Sequence, residues 1–308
     1  MARTRKVATF ALGGGAVTLS SFYATLMGEA VLARRAIGTT DDRPPTPDGL
    51  YGEEHAGHTI RCLVIGDSAA VGYGMTTSDT TPTGLLGVGL AHMLDAQVEM
   101  RCHAVVGAQT SDLAEQITQA EDFKPDVAVI IVGTNDVTHR VLPRRSVRIL
   151  ADVVSQLTAE GCEVVVGTCP DLGTVRPILQ PLREVARRWS RALARQQTIA
   201  VVRAGGRAVS LGDLLGGLFR EQLDAMFGDD RFHPSAAGYA NMVSVLMPAV
   251  AASLHDPEQD FLDSGQPRDV MSLDDAATQA AQQPGTQVVR SGRFASVLRR
   301  RRLVLTRS

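Results

Sequence analysis

Between Thr59 and Leu254 short apolar runs alternate with longer amphipathic stretches, and this alternation constrains the fold more than any other feature of the chain. Ile60–Ile65, Gln97–Val106, Asp126–Val132, Glu163–Gly167 and Ile199–Val202 read as strands. Thr83–Leu94, Thr110–Ala120, Arg144–Ala159, Leu182–Gln196 and Ala236–Leu254 read as helices. In Arg144–Ala159 the residues Val147, Leu150, Val153, Val154 and Leu157 fall on one helical face. Uninterrupted runs such as Leu63–Ile65 suit strands covered on both faces. Repeated βαβ units predict an α/β domain whose mostly parallel, five-stranded sheet carries helices on both sides.

Three of these strands end in polar residues: Gly66-Asp67-Ser68, Val106-Gly107-Ala108-Gln109-Thr110 and Gly133-Thr134-Asn135-Asp136. In a parallel sheet all three open onto one edge, and that edge is where open α/β sheets carry their chemistry. Ser68 is the first hydroxyl past the first strand. Taken alone it reads equally as a nucleophile or as the N-cap of the next helix. A serine nucleophile needs a base, and it needs donors for the oxyanion formed when it attacks a carbonyl. The candidate donors are the backbone N–H groups of Ser68 and Gly107 and the side-chain amide of Asn135. Gly107 has no Cβ to keep a substrate off the backbone. The plainer roles for these residues are to close a turn and to satisfy loop carbonyls.

The candidate base lies in Asp230-Arg231-Phe232-His233-Pro234-Ser235. Pro234 turns His233 away from helical geometry and suits the start of the helix that follows. Asp230, three residues earlier, can fold back onto Nδ1 of His233 and fix its tautomer. Asp229 competes for that part at a less favourable spacing. Of the other histidines, His92 falls in a helix and His103 in a strand. His139 can line the cleft, and His55 and His58 read as solvated.

In these blocks the chain resembles the SGNH hydrolases, also called GDSL esterases/lipases, over roughly Thr59–Leu254. The resemblance implies a flavodoxin-like three-layer αβα sandwich. It places the nucleophile at Ser68, the base at His233 and its orienting acid at Asp230. It places the oxyanion hole at Ser68, Gly107 and Asn135, and it implies neither a metal nor another cofactor. Val105 and Val106 stand where many members carry an asparagine. The G-x-S-x-G elbow of ordinary α/β-hydrolases is not met, because Ala70 occupies its last glycine position. The expected activity is hydrolysis of carboxylic esters, with short acyl chains or acetyl groups, through an acyl-enzyme. The expected substrate is a small-molecule ester, a lipid or an acylated sugar. The alternatives are an acyltransferase or carbohydrate deacetylase using the same triad, and a catalytically silent envelope-binding protein.

The two ends read differently from the core. Arg3, Arg5 and Lys6 precede an uncharged run, Val7–Gly28, of about the length that spans a bilayer. Residues 1–37 are therefore read as a signal peptide or membrane anchor, with a buried helix of a cytoplasmic protein as the alternative. With the core, this resembles exported actinobacterial members of the family and predicts a place in the cell envelope. Residues 38–58 read as a linker. Residues 255–308 read as a disordered tail with a basic C-terminus, which is either solvated or laid on anionic lipid. A net charge of −2 and 4% aromatic residues give no basis for nucleic-acid binding. Cys62, Cys102, Cys162 and Cys169 form no C-x-x-C pair. Cys62 and Cys102, on successive strands, are a possible disulfide in an oxidising compartment. Nothing in the sequence sets an oligomeric state.

Overall fold

A computed structural model describes residues 21, 23–32, 44–212, 223–254, 269–291 and 294–298. Residues 23–32 form helix α1. Among the described residues nine strands follow: β1 (Gly49–Tyr51), β2 (Ile60–Gly66), β3 (Val98–Cys102), β4 (Val127–Ile131), β5 (Glu163–Gly167), β6 (Arg207–Val209), β7 (Asp269–Met271), β8 (Gln287–Ser291) and β9 (Phe294–Leu298). The remaining helices are α2 (Ser68–Val71), α3 (Pro82–Leu94), α4 (Leu113–Gln119), α5 (Thr134–Thr138), α6 (Pro143–Ala159), α7 (Leu182–Arg203), α8 (Leu223–Met226), α9 (Ala236–Leu254) and α10 (Leu273–Ala280).

All strands join one sheet in the order β1-β3-β2-β4-β5-β6-β8-β9-β7. The five central strands, β3-β2-β4-β5-β6, are mutually parallel, as the alternation predicts. Successive residues along them serve opposite faces. Leu63, Ile65, Ala128, Ile130, Val164 and Val166 enter a core with residues of α4, α6, α7 and α10. Cys62, Val64, Val127, Val129, Ile131 and Val165 enter a second core with α3 and α9. This is a three-layer αβα sandwich with a larger, mixed sheet.

Five sequence expectations are corrected, the last of them at the cysteines. The fifth parallel strand is not Ile199–Val202, because α7 continues through that run to Arg203 and the strand is Arg207–Val209. Gln197 and Val201, like Thr198 and Val202, extend the buried stripe of Leu193 and Ala194 at helical spacing, so packing outweighs the β preference of the branched residues. Residues 38–58 are not only linker, since Gly49–Tyr51 pairs antiparallel with β3. His55 in that stretch is not solvated: its side chain is 18% exposed, with Nδ1 2.8 Å from Asp95 Oδ1. Nor is 255–308 disordered throughout. β8 pairs antiparallel with β6, β9 with β8 and β7 with β9, and Ala276, Ala280, Val288, Ala295 and Val297 are buried in the first core.

The Cys62–Cys102 disulfide does not form. The register sets Cys62 beside Met100 and Cys102 beside Val64, and all four thiols are free. Most of Val7–Gly28 and the basic stretch Arg299–Arg307 lie outside the described residues. Among the described residues one helix, α9, is long and apolar enough to cross a membrane, and more than half of its apolar window is buried in the core.

Candidate active site

The site begins where β2 stops. Gly66 has φ +139°, and a Cβ there would lie 1.9 Å from the carbonyl oxygen of Ile131, so only glycine fits. Gln116 of α4, itself buried, clamps this exit: the Gly66 N–H donates to its Oε1 (2.8 Å), and its Nε2 donates to the Gly66 carbonyl (2.9 Å). Asp67 then caps α2, Oδ1 accepting from the Ala69 N–H at 2.9 Å. The capping role therefore goes to Asp67, and the Ser68 hydroxyl is left to another partner. Burial pushes the Asp67 carboxyl up to about 6, and nearby Asp136 adds to the rise; the Ala69 and Gly133 N–H groups and His233 oppose it.

That partner is His233. Its Nε2 lies 3.0 Å from Ser68 Oγ, and its Nδ1 lies 2.6 Å from Asp230 Oδ2. A carboxylate at Nδ1 selects the tautomer in which Nδ1–H donates to Asp230 and Nε2 accepts from the serine hydroxyl. The other oxygen of Asp230, Oδ1, accepts from the backbone N–H groups of Phe232 and His233, each at 2.9 Å. Burial works against the charge on Asp230. The His233 ring and the two N–H groups outweigh it and hold the carboxyl below its ordinary range. Asp229 is exposed. The imidazole is bracketed by Tyr73, ring centroids 4.3 Å apart, and by Phe232, edge-on at 4.9 Å. Tyr239 Oη in turn donates to the Tyr73 carbonyl at 3.0 Å.

Gly107 and Asn135 lie on the adjoining loops of the same sheet edge. Asn135 Nδ2 donates to the Ala108 carbonyl at 3.0 Å, which ties the two loops together. Gly107 is exposed at φ +83° with open space around it, so glycine serves the backbone conformation rather than a crowded contact. The N–H groups of Ser68 and Gly107 have no acceptor among the described residues. Behind them the buried Asp136 carboxylate accepts from Thr110 Oγ1 (2.9 Å) and Ser146 Oγ (2.6 Å). His139 turns back on its own helix, Nδ1 2.9 Å from the Asn135 carbonyl oxygen.

A cleft of about 760 Å³, open solvent at its mouth included, adjoins Ser68 and His233. Leu172, Val175, Leu211, Phe232 and Met242 make much of its wall, and neither Gly107 nor Asn135 lines it. Among the described residues the one further carboxylate on that wall, Asp171, is buried and held by Arg191 Nε at 2.7 Å.

Sequence reasoning names Ser68, Asp230, His233, Gly107 and Asn135 and misses their supports, Gln116, Gln197 and Tyr73. Gln197 repeats the Gln116 clamp at the next strand ends, its Oε1 accepting from the Cys169 N–H (2.7 Å) and its Nε2 donating to the Val132 carbonyl (3.0 Å). The available signal was a glutamine on the apolar face of a helix, beside Leu113 and Ile117 or Leu193 and Val201. No cluster of three or more potential metal ligands occurs among the described residues.

The sequence model of the GDSL-like Lipase/Acylhydrolase family matches residues 64–240. The GDSL-like esterase Rv1075c of Mycobacterium tuberculosis is 38% identical over 240 residues, spanning 74% of this chain and 76% of that protein. Two solved structures share the fold. LAE5, an alpha/beta hydrolase enzyme from the metagenome of Lake Arreo in Spain, superposes with TM-score 0.52 at 18% identity, over 66% of this chain and 98% of its own. A mutant of Axe2, an acetyl-xylooligosaccharide esterase from Geobacillus stearothermophilus, gives TM-score 0.51 at 18% identity, over 64% and 94%.

Proposed function

This chain belongs to the GDSL-like lipase/acylhydrolase family and is a carboxylic ester hydrolase, and from that premise we propose that Ser68, His233 and Asp230 carry the reaction through an acyl-enzyme. The observation that carries this reading is the hydrogen-bonded chain from Ser68 Oγ through the imidazole to Asp230, at 3.0 and 2.6 Å. His233 Nε2 takes the proton as Ser68 Oγ attacks the ester carbonyl, and Asp230 stabilises the imidazolium. The Ser68 and Gly107 N–H groups and the second N–H of the Asn135 amide receive the oxyanion. Collapse of the tetrahedral intermediate breaks the C–O bond, and His233 returns the proton to the leaving alkoxide. Water then attacks the acyl carbon as it gives a proton to His233; the bond to Ser68 Oγ breaks, Oγ takes that proton back, and the acid is released.

The acyl group occupies the apolar cleft. Its wall of Leu172, Val175, Leu211, Phe232 and Met242 supports an alkyl acyl chain, from acetyl to short aliphatic. It supports a sugar ring less well, because Asp171 is already committed to Arg191. The test is a fluorophosphonate label followed by peptide mapping, beside turnover of p-nitrophenyl esters of increasing chain length. The adduct is expected on Ser68, and Ser68→Ala is expected to lose on the order of 10³-fold or more in kcat. Unchanged turnover in Ser68→Ala, or acyl transfer to an added alcohol outrunning hydrolysis, would overturn the reading.

A further inference from the structure

We propose that the catalytic edge of the sheet docks on an anionic lipid surface, the contact being helix α1 together with the segments that lead into α6 and α7. In a parallel α/β sheet the helix N-termini lie at the edge where the strands end. Helices α6 and α7 therefore begin, at Pro143 and Leu182, on the same edge as Ser68. Helix α1 bridges those two starts. Arg140 Nη2 donates to Met27 Sδ at 3.4 Å, and the Leu182 N–H donates to Glu29 Oε2 at 2.8 Å.

Glu29 is the single acidic residue before Asp41. It is buried and caps an α7 N-terminus that has no side-chain cap of its own, where a negative charge is favoured. The one carboxylate of the segment is thus turned inward. Apolar side chains face out instead: Tyr23, Val31 and Leu32 of α1 are 57%, 49% and 52% exposed. On the two segments that α1 touches, Leu142 is 69% and Leu179 48% exposed. Singly, such residues are ordinary; gathered on one edge they form an interaction surface.

The segments that lead into the two helices carry charges of one sign, and Glu184, in the first turn of α7, is paired with Arg187 and Arg188. His139–Ala151 contains Arg140, Arg144, Arg145 and Arg148 and no Asp or Glu. Leu172–Arg183 contains Arg176 and Arg183 and likewise no acidic residue. Arginines beside exposed leucines fit a bilayer of anionic headgroups. The loop that carries Leu179 also carries Leu172 and Val175 of the cleft wall, so an ester leaving the lipid meets the cleft first. Only this last step rests on Ser68 being the nucleophile; the docking does not.

The test uses the full chain with vesicles of phosphatidylglycerol or phosphatidylcholine. A bimane label on Leu142→Cys or Leu179→Cys is expected to be quenched by brominated phosphatidylglycerol. The same label on Val88→Cys, exposed on α3 in the opposite layer, is expected to be spared. Reversing Arg140, Arg144 and Arg145 to Glu together is expected to weaken partitioning into phosphatidylglycerol by roughly 10²-fold. Hydrolysis of p-nitrophenyl butyrate without lipid is expected to stay unchanged in that variant. Equal quenching at all three positions, or partitioning indifferent to charge reversal, would overturn the proposal and leave an acidic protein as the better partner. Ser68→Ala is expected to partition normally, which separates a failure of docking from a failure of the catalytic assignment.

Discussion

The nucleophile and its base are held in different ways. Ser68 follows a strand buried on both faces, at an exit fixed by Gly66 against Ile131 and by the two hydrogen bonds of Gln116. His233 stands on a half-exposed turn and owes its position to neighbours in sequence: three hydrogen bonds to Asp230 and the flanking ring of Phe232. Tyr73, which follows α2, packs its ring on the imidazole and adds to the direct contact between Ser68 and His233. The core thus fixes the group that must not move. A short local motif is enough for the group that shuttles protons and tolerates water.

Four substitutions probe that difference. His233→Ala is expected to lower kcat on p-nitrophenyl acetate by on the order of 10³-fold or more while leaving the thermal midpoint nearly unchanged, since the turn adds little core. A fall in midpoint comparable to that of a core variant would show the turn to be structural. On the serine side, Asp67 makes stability depend on pH. Its carboxyl titrates near 6 in the folded protein, above its ordinary value, so unfolding releases its proton between roughly pH 4 and 6 and stability declines as pH rises through that window. The decline amounts to about 3 kcal/mol at most. Urea titrations at both ends of the window are expected to show it, and Asp67→Asn is expected to remove it. Asp230 has the opposite sign: its depressed carboxyl adds stability above the ordinary carboxylate range, lost as acid protonates it.

Asn135→Ala is expected to cost on the order of 10²-fold in kcat with KM little changed, since an oxyanion donor acts in the transition state. An effect confined to KM would assign Asn135 to substrate binding. The smallest expected effect is that of Gln116→Leu, which strands the N–H and carbonyl of Gly66 and is expected to destabilise the fold by roughly 1–3 kcal/mol in urea. Should activity collapse while stability holds, the clamp would belong to the chemistry rather than to the scaffold.

Much of this was legible because strand ends and turns use distinctive residues. Gly66-Asp67-Ser68, Gly133-Thr134-Asn135-Asp136 and Asp230-Arg231-Phe232-His233-Pro234 announce the edge and its groups. What escaped depends on tertiary packing. Ile199–Val202 has strand composition and becomes helix because its neighbours complete a helical stripe. The C-terminal strands lack long periodicity, and the small side chains of Ala276, Ala280 and Ala295 give little hydrophobic signal although they fill the core. A better clue was Gly292-Arg293 between two strand-like runs, the spacing of a tight hairpin. The glutamine clamps were illegible for a related reason: a polar residue on an apolar face declares a need for partners without saying which backbone will meet it.

β6 does not end the sheet. Its outer rim is bonded to β8, which returns from residues well past α9. A fragment trimmed to the family match, or cut at Leu254, would bare that rim as an open row of amides and carbonyls ready to recruit another chain. Shortening this enzyme for expression therefore trades a small gain in size for a sticky border, and a soluble product should keep its final hairpin.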